Sequence, residues 1–284
     1  MWFARAMSGP LEPIRIVDFA DPRIADYRNL KDAQLARDRG RFIVEGRGNL
    51  NVLLSRAAFA PESILLSDRA FSSLENELTQ RAPACPIYVA DQPLLDQVVG
   101  FPIHRGVLAV CARGAALDPL ALAKTLLTQE PSPRLVVLEG IINHDNAGGI
   151  FRNAMGLGAH AVLLCPRSCD PLYRKAIRTS MGGSLVVPFA RSTDLVELLK
   201  GLREIGYAVC ALDPDPTGQD LASLDAETVG PAALLMGTEG GGLSAEALAE
   251  ADLRLRIGME PGVDSLNVSV ATAIALHQLR KQSA

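Results

Sequence analysis

Long apolar runs are missing from this chain. The longest uninterrupted stretches, such as Val107 to Ala112, fall far short of the roughly twenty residues that a membrane-spanning helix needs. The opening MWFARAMSGP has no apolar h-region and no cleavage site of the secretory kind, so a soluble, cytoplasmic protein is expected, with Met7 an alternative start. Cysteine is scarce and odd in number. Cys85, Cys111, Cys165, Cys169 and Cys210 sit mostly inside apolar runs, the usual setting of reduced core thiols, and no disulfide framework is expected. Cys165 and Cys169 are four apart with a proline between them, and no second Cys or His pair stands at ligand spacing, so no metal is expected either. Neither Gly (24) nor Pro (18) is in excess, which removes collagen-like and low-complexity classes. With 48% hydrophobic and 21% charged among 284 residues, the chain is a globular protein of about two domains with a sizeable core.

A basic excess is also missing, since the net charge is −4, and this leans against a nucleic-acid partner. The distribution changes that reading. Between positions 152 and 191 the six basic residues are Arg152, Arg167, Arg174, Lys175, Arg178 and Arg191, against the single acid Asp170, so this stretch alone carries +5. It is either a phosphate-binding footprint or a set of solvated side chains on loops and helix faces.

What is present is alternation. Asp21-Pro22 has the form of an N-cap followed by proline at the first helical position, and Ile24, Tyr27, Leu30 and Leu35 continue a helix to about Arg37. RFIVE, SILLS, PIYVA and GVLAVCA then alternate with helical patterns to form an α/β unit over 40–113. Residues 114–133, rich in Ala and Leu and ending in EPSPR, are expected to be a connecting helix and linker. From 134 to 284 the strands LVVLE, AVLLC, SLVVPFA, YAVCA, AALLMG and LRLRI are expected, closed by the helix VSVATAIALHQLRKQ. Near-continuous apolar strands separated by helices predict a parallel sheet covered on both faces.

Gly, Asn, Ser and Glu gather at three strand ends, where open α/β sheets place their ligands. The first cluster, Asn143 to Gly158, suggests that Asn146, Gly148 and Gly149 make a tight turn into a helix, with Arg152 one turn along it. The second, Met236 to Ser244, is glycine-rich, yet no Gly-Lys-Ser/Thr closes it and it lacks dinucleotide spacing. Glu239 within it would repel a pyrophosphate, so a neutral or cationic ligand fits better. The third, Ile257 to Ser269, opens the terminal helix, which Ser265 or Asn267 could simply cap.

Taken together, these motifs resemble the SpoU (TrmH-type) RNA ribose 2′-O-methyltransferases of the SPOUT superfamily. The likeness rests on Asn146, Gly148, Arg152, Asn153 and Ala154, on Gly237, Glu239, Gly240 and Gly242, on Ser265 to Ala271, and on RTSMGG at Arg178 to Gly183. It covers about 131–284, and departs at Gly258, where the family usually has Pro. A weaker likeness over 40–113, through FIVEG at Phe42 and HRGVLA at His104, implies a ribosomal-protein-like substrate-binding domain preceded by an N-terminal extension, 1–39.

The resemblance implies an α/β domain with a parallel sheet and a deep trefoil knot, S-adenosylmethionine as cofactor, an RNA substrate (tRNA or rRNA) and a homodimer. It places Arg152, Asn146, Glu239, Ser265 and Asn267 in catalysis. Gly237, Glu239, Gly240, Ile257, Met259 and Leu266 would hold the cofactor, and Arg167, Arg174, Lys175 and Arg178 the RNA. A guanidinium stays protonated in nearly every protein setting, so Arg152 suits phosphate binding or stabilisation of a developing alkoxide better than the role of free base. A non-catalytic RNA-binding or ribosome-assembly factor with the same fold is the alternative. A nucleotide-dependent metabolic enzyme is disfavoured by Glu239 and by the lack of a phosphate loop.

Overall fold

The computed structural model describes residues 11–28, 32–103, 106–238 and 240–280. The chain divides into two compact units, Met1–Gly114 with Leu172–Arg178, and Ala115–Pro171 with Thr179–Ala284.

The first unit is built on a mixed five-stranded sheet. Its elements are β1 (Ile14–Arg15), α1 (Asp32–Arg39), β2 (Arg41–Glu45), α2 (Arg47–Arg56), β3 (Pro61–Ser67), α3 (Asp68–Arg81), β4 (Ile87–Ala90), α4 (Gln92–Val99) and β5 (Val107–Ala112). The strand order is β1-β4-β3-β5-β2, and β5 runs antiparallel to both β2 and β3. One sheet face, with Ile43, Leu65, Tyr88 and Leu108, packs on Leu95, Val98 and Val99 of α4. The single helix expected from Pro22 to Arg37 is not continuous. Asp21 does cap a helix, its carboxylate accepting from the Arg23 N–H, but the helix is a 3-10 turn over Pro22–Tyr27 that ends in extended backbone at Arg28, and α1 is separate. Burial decides this: Ile24 and Tyr27 are fully enclosed, whereas α1 has no buried residue.

The second unit follows the alternation of the sequence closely. Its elements are α5 (Pro119–Gln129), β6 (Arg134–Leu138), α6 (His144–Leu157), β7 (Ala161–Leu164), α8 (Gly183–Val186), β8 (Phe189–Arg191), α9 (Leu195–Glu204), β9 (Ala208–Leu212), β10 (Gln219–Asp220), α10 (Ala226–Val229), β11 (Ala232–Met236), α11 (Ala245–Ala249), β12 (Leu253–Arg256) and α12 (Val268–Gln278). Between β7 and α8 lies α7 (Arg174–Thr179), most of which clusters with the first unit. The seven strands are ordered β10-β12-β9-β11-β6-β7-β8 and every neighbouring pair is parallel.

Alternate residues of the central strands divide into two cores. Val136, Leu138, Val162, Leu164, Leu234 and Met236 face α6 and α12, and Leu135, Val137, Ala161, Leu163, Ala233 and Leu235 face α5, α9 and α11. Both faces are therefore dry, which is why these strands are apolar without alternation. The connecting helix expected within 114–133 is present as α5, and its Ala123 and Leu126 belong to the second unit's core. One expectation is corrected here: SLVVPFA is not one strand. Met181 and Gly182 both have positive φ, the chain turns into α8, and only Phe189–Arg191 joins the sheet. Close packing explains the turn, because a Cβ at Gly183 would lie 2.7 Å from the Phe151 carbonyl oxygen of α6. Among the described residues no helix is long and apolar enough to cross a membrane.

Candidate active site

Because the seven strands are parallel, the loops that follow them emerge on one edge of the sheet. Three carry the clustered motifs: 139–143 after β6, 237–244 after β11, and 257–267 after β12. β6 and β11 are neighbours, and only β9 separates β11 from β12. Each loop runs into a helix through a side-chain cap. Asn143 accepts from the Asp145 N–H (2.8 Å), Ser244 from the Ala247 N–H (3.2 Å) and Asn267 from the Ser269 N–H (2.9 Å).

The first motif differs from its expected form. Asn143, not Asn146, is the cap, and Asn146, Gly148 and Gly149 lie inside α6 rather than in a turn before it. The glycine at 149 serves helix packing, since a Cβ there would lie 2.8 Å from the Ser269 Cβ of α12. Asn146 and Asn153, seven residues apart, share the face that meets α12. The Asn267 amide donates to Asn146 Oδ1 (3.0 Å) and the Asn153 amide donates to the Ser269 carbonyl (2.6 Å). Asn267 therefore both caps α12 and ties it to α6. Arg152 stands elsewhere. Six residues from Asn146 is about 240° around a helix, and its exposed side chain makes no hydrogen bond or ion pair among the described residues.

The second motif folds back on itself. Thr238 and Gly242 exchange backbone hydrogen bonds (3.0 and 3.1 Å), with Gly240 and Gly242 at positive φ. At Gly237 any side chain is excluded, because a Cβ would lie 2.4 Å from the Gly242 carbonyl carbon. Glu239 lies outside the described residues, as do His104 and Arg105 of the first unit. Ile257 and Met259 are half-buried and Leu266 and Ser265 are exposed. Asp220 accounts for the space at Gly258: its Oδ2 would be 3.2 Å from a Cβ at that position.

Sequence reasoning missed Glu139. This carboxylate at the end of β6 is buried, and it accepts the Ser244 N–H (3.0 Å), while the next residue, Gly140, abuts the Thr238 methyl, 2.7 Å from a would-be Cβ. Both ends of the glycine-rich loop are thus anchored on β6. The available signal was an acid closing an otherwise apolar strand, LVVLE.

Of the cations expected to hold RNA, Arg167, Lys175 and Arg178 are exposed. Arg174 is corrected. Its guanidinium pairs with Asp32 (3.0 Å) and Glu45 (3.6 Å) and lies over the Phe101 ring, so its charge is already answered within the first unit. Arg191 is likewise spent on the carbonyls of 165–169. Burial and the neighbouring Asp170 charge push the Cys169 thiol up to about 11, so it stays protonated at neutral pH and offers no nucleophile.

The edge fits S-adenosylmethionine by its chemistry. The loops 237–244 and 257–267 contain no Lys or Arg, so nothing on them would neutralise a phosphate, while Glu239, Glu260 and Asp264 favour a cation. Apolar side chains at Ile257, Met259, Val263 and Leu266, the last two exposed, match the methylene chain and the adenine face of that molecule. Gly237 lets the glycine-rich loop close tightly on Gly242. Among the described residues no cluster of His, Cys, Asp and Glu could hold a metal.

Comparison with known proteins gives a consistent picture. A family described as the SpoU rRNA Methylase family matches residues 133–277. A tRNA/rRNA methyltransferase of Mycobacterium tuberculosis, described as uncharacterized, is 37% identical over 273 residues, 93% of this chain and 90% of its own length. The 23S rRNA (guanosine-2′-O-)-methyltransferase RlmB of Photobacterium profundum is 30% identical over 222 residues, 78% of this chain and 89% of its own. In fold, an AdoMet-bound rRNA methyltransferase from Sinorhizobium meliloti superposes with a TM-score of 0.77 at 21% identity, over 94% of this chain and 97% of that one.

Proposed function

The chain belongs to the SpoU rRNA methylase family, and from that premise we propose that it methylates a ribose 2′-hydroxyl of RNA, ribosomal or transfer, with S-adenosylmethionine as donor. The observation that carries this reading is the joining of three loops at one sheet edge, where the Asn267 amide bridges to Asn146 and Glu139 anchors the glycine-rich loop. When bound, S-adenosylmethionine supplies an electrophilic methyl group on a cationic sulfonium.

The chain's own groups do the rest by positioning. Gly237, Gly240, Ile257, Met259 and Leu266 hold the cofactor largely through backbone and apolar surface, and Glu239 favours its charge. Asn146, Ser265 and Asn267 orient the ribose. The Arg152 guanidinium binds the adjoining phosphate or stabilises oxyanion character at the 2′-oxygen as its proton leaves. Arg167, Lys175 and Arg178 grip further phosphates, and the first unit selects the RNA.

A homodimer completes the site in this reading. Val270 and Ile274, one turn apart on α12, expose apolar surface at 49% and 38%, as an interface would require. Arg152, on a different face of α6 from Asn146, then serves the neighbouring subunit. A trefoil knot at the third loop and a cytoplasmic location belong to the same proposal. Incubation with radiolabelled S-adenosylmethionine and unmodified total RNA, then nuclease digestion, tests it. Label is expected in a 2′-O-methylated nucleoside. Cofactor binding without label in any RNA fraction would instead favour an assembly factor.

A further inference from the structure

The loop after β7, which carries Arg167, is held from two sides. On its inner side it is bonded to the backbone that opens the site. The Cys169 N–H donates to the Ile141 carbonyl (2.8 Å), the Ser168 hydroxyl donates to the Leu138 carbonyl (2.9 Å), and the Gly140 N–H donates to the Cys165 sulfur (2.9 Å). On its outer side a single guanidinium gathers it. Arg191, the last residue of β8, donates through one nitrogen to the carbonyls of Cys165 (2.9 Å), Pro166 (3.3 Å) and Ser168 (2.8 Å), and through the other to that of Cys169 (3.1 Å).

We propose that Arg191 is a positioning residue of the methyl-transfer site. It fixes loop 165–169 against 138–141, and so sets both the entry of α6, which carries Asn146 and Arg152, and the direction of the exposed Arg167. This deepens the proposed function and rests on it. The chemistry suits the task, because a planar guanidinium presents five N–H donors in a fixed fork and can satisfy several carbonyls at once, where an ammonium would bring three donors from one point. None of the four carbonyls belongs to the loops at 237–244 or 257–267, which would hold the cofactor. The guanidinium therefore makes no direct contact with either cofactor loop, and its effect is expected first on the RNA side of the reaction.

The test combines hydrogen exchange with kinetics. In Arg191→Ala, amide exchange at Gly140 and Cys169 should accelerate at least about tenfold, as expected when charge-assisted hydrogen bonds worth a factor of ten or more are lost, while amides of β6 and β11 keep their protection. The same variant should lose at least about tenfold in kcat/KM for RNA, with S-adenosylmethionine affinity within about twofold of wild type. Arg191→Lys, which retains the charge but not the fork, should recover part of both effects, and it serves in place of the alanine variant should that one fail to fold. Unchanged exchange at Gly140 and Cys169 would overturn the proposal, and so would equal losses toward RNA and cofactor. Wild-type protein inactive on every RNA would overturn the functional reading instead, and the exchange measurement would still judge the loop.

Discussion

The two edges of the seven-stranded sheet have been built to opposite ends. At the edge where β6 begins, polar groups are closed off. Arg134, buried, donates to the carbonyls of Leu279 (3.0 Å), Gly230 (2.5 Å) and Ser132 (3.1 Å), and its backbone N–H donates to His160 Nδ1 (2.9 Å). That one side chain ties the end of α12 and the turn before β11 to the first strand. At the opposite edge apolar side chains such as Ile142, Val263 and Leu266 are left exposed, and Arg152 has no partner among the described residues. The difference teaches where each kind of substitution should act. The closed edge maintains the fold, and the open one is arranged for molecules that come from outside.

The sharpest way to break that division is Arg152→Ala, which should lower kcat by about 10²–10³, the usual cost of removing a transition-state donor, while cofactor affinity and the melting temperature hardly move. Retained activity would remove Arg152 from the mechanism. The mirror experiment is Arg134→Met. Leaving one buried and two half-buried carbonyls without their charged donor should cost about 2–4 kcal/mol of stability in denaturant titration, with kcat unchanged at a temperature where the protein is folded. A large loss of kcat in a fully folded Arg134→Met protein would deny the separation of the edges.

Gly149→Ala sharpens the comparison at the one contact where fold and site coincide. The added methyl meets the Ser269 side chain, so about 1–3 kcal/mol of overpacking is expected, together with a fall in activity as the Asn146–Asn267 bond is displaced. Salt is the next probe. With Arg152, Arg167, Lys175 and Arg178 as the phosphate contacts, the log–log slope of RNA affinity against salt should be about −3 to −4; a flat response would leave the open edge without an electrostatic role. The smallest effect concerns pH. Burial pushes the thiols of Cys169 and Cys210 up to about 11 in the folded protein. The folded state thus keeps protons that the unfolded chain releases above about 8.5. Stability is full below that value and declines as pH rises toward 11, and denaturant midpoints at pH 8 and pH 10 would read the decline, which Cys210→Ala should reduce.

Much of this was legible beforehand. In the second unit the strands of LVVLE, AVLLC, YAVCA and AALLMG stand where their apolar runs are, because a strand buried on both faces declares itself by composition alone; LRLRI is also a strand, though only Leu255 in it is buried. The second and third motifs lie at strand ends as expected, whereas the residues of the first lie inside α6, the helix that follows the loop after β6. What failed was local detail under tertiary control. SLVVPFA has strand composition, yet Gly183 is drawn against the backbone of α6 and the segment turns helical. Asn146-Ala-Gly-Gly has the look of a turn, but it lies inside α6, and a Cβ at Gly149 would meet Ser269 of α12. In sequence Arg174 reads as an RNA ligand and Arg191 as part of the basic stretch, because nothing in a linear charge count reveals that Asp32 and Glu45 will claim the one and a set of carbonyls the other.

The sequence by itself determined the alternation of strands and helices, the order and spacing of the three loop motifs, and a ligand chemistry without phosphate, since each of these is written in residues close together along the chain. Only the tertiary structure decided that Asn267 would reach Asn146, 121 positions away, that Glu139 would hold the loop at Ser244, 105 positions on, and that Arg191 would spend its charge on a neighbouring loop. The reason is physical: hydrogen bonds and close packing act over a few ångströms, and which distant residues come within that range is set by the lateral order of parallel strands, a property of the whole sheet that no local pattern encodes.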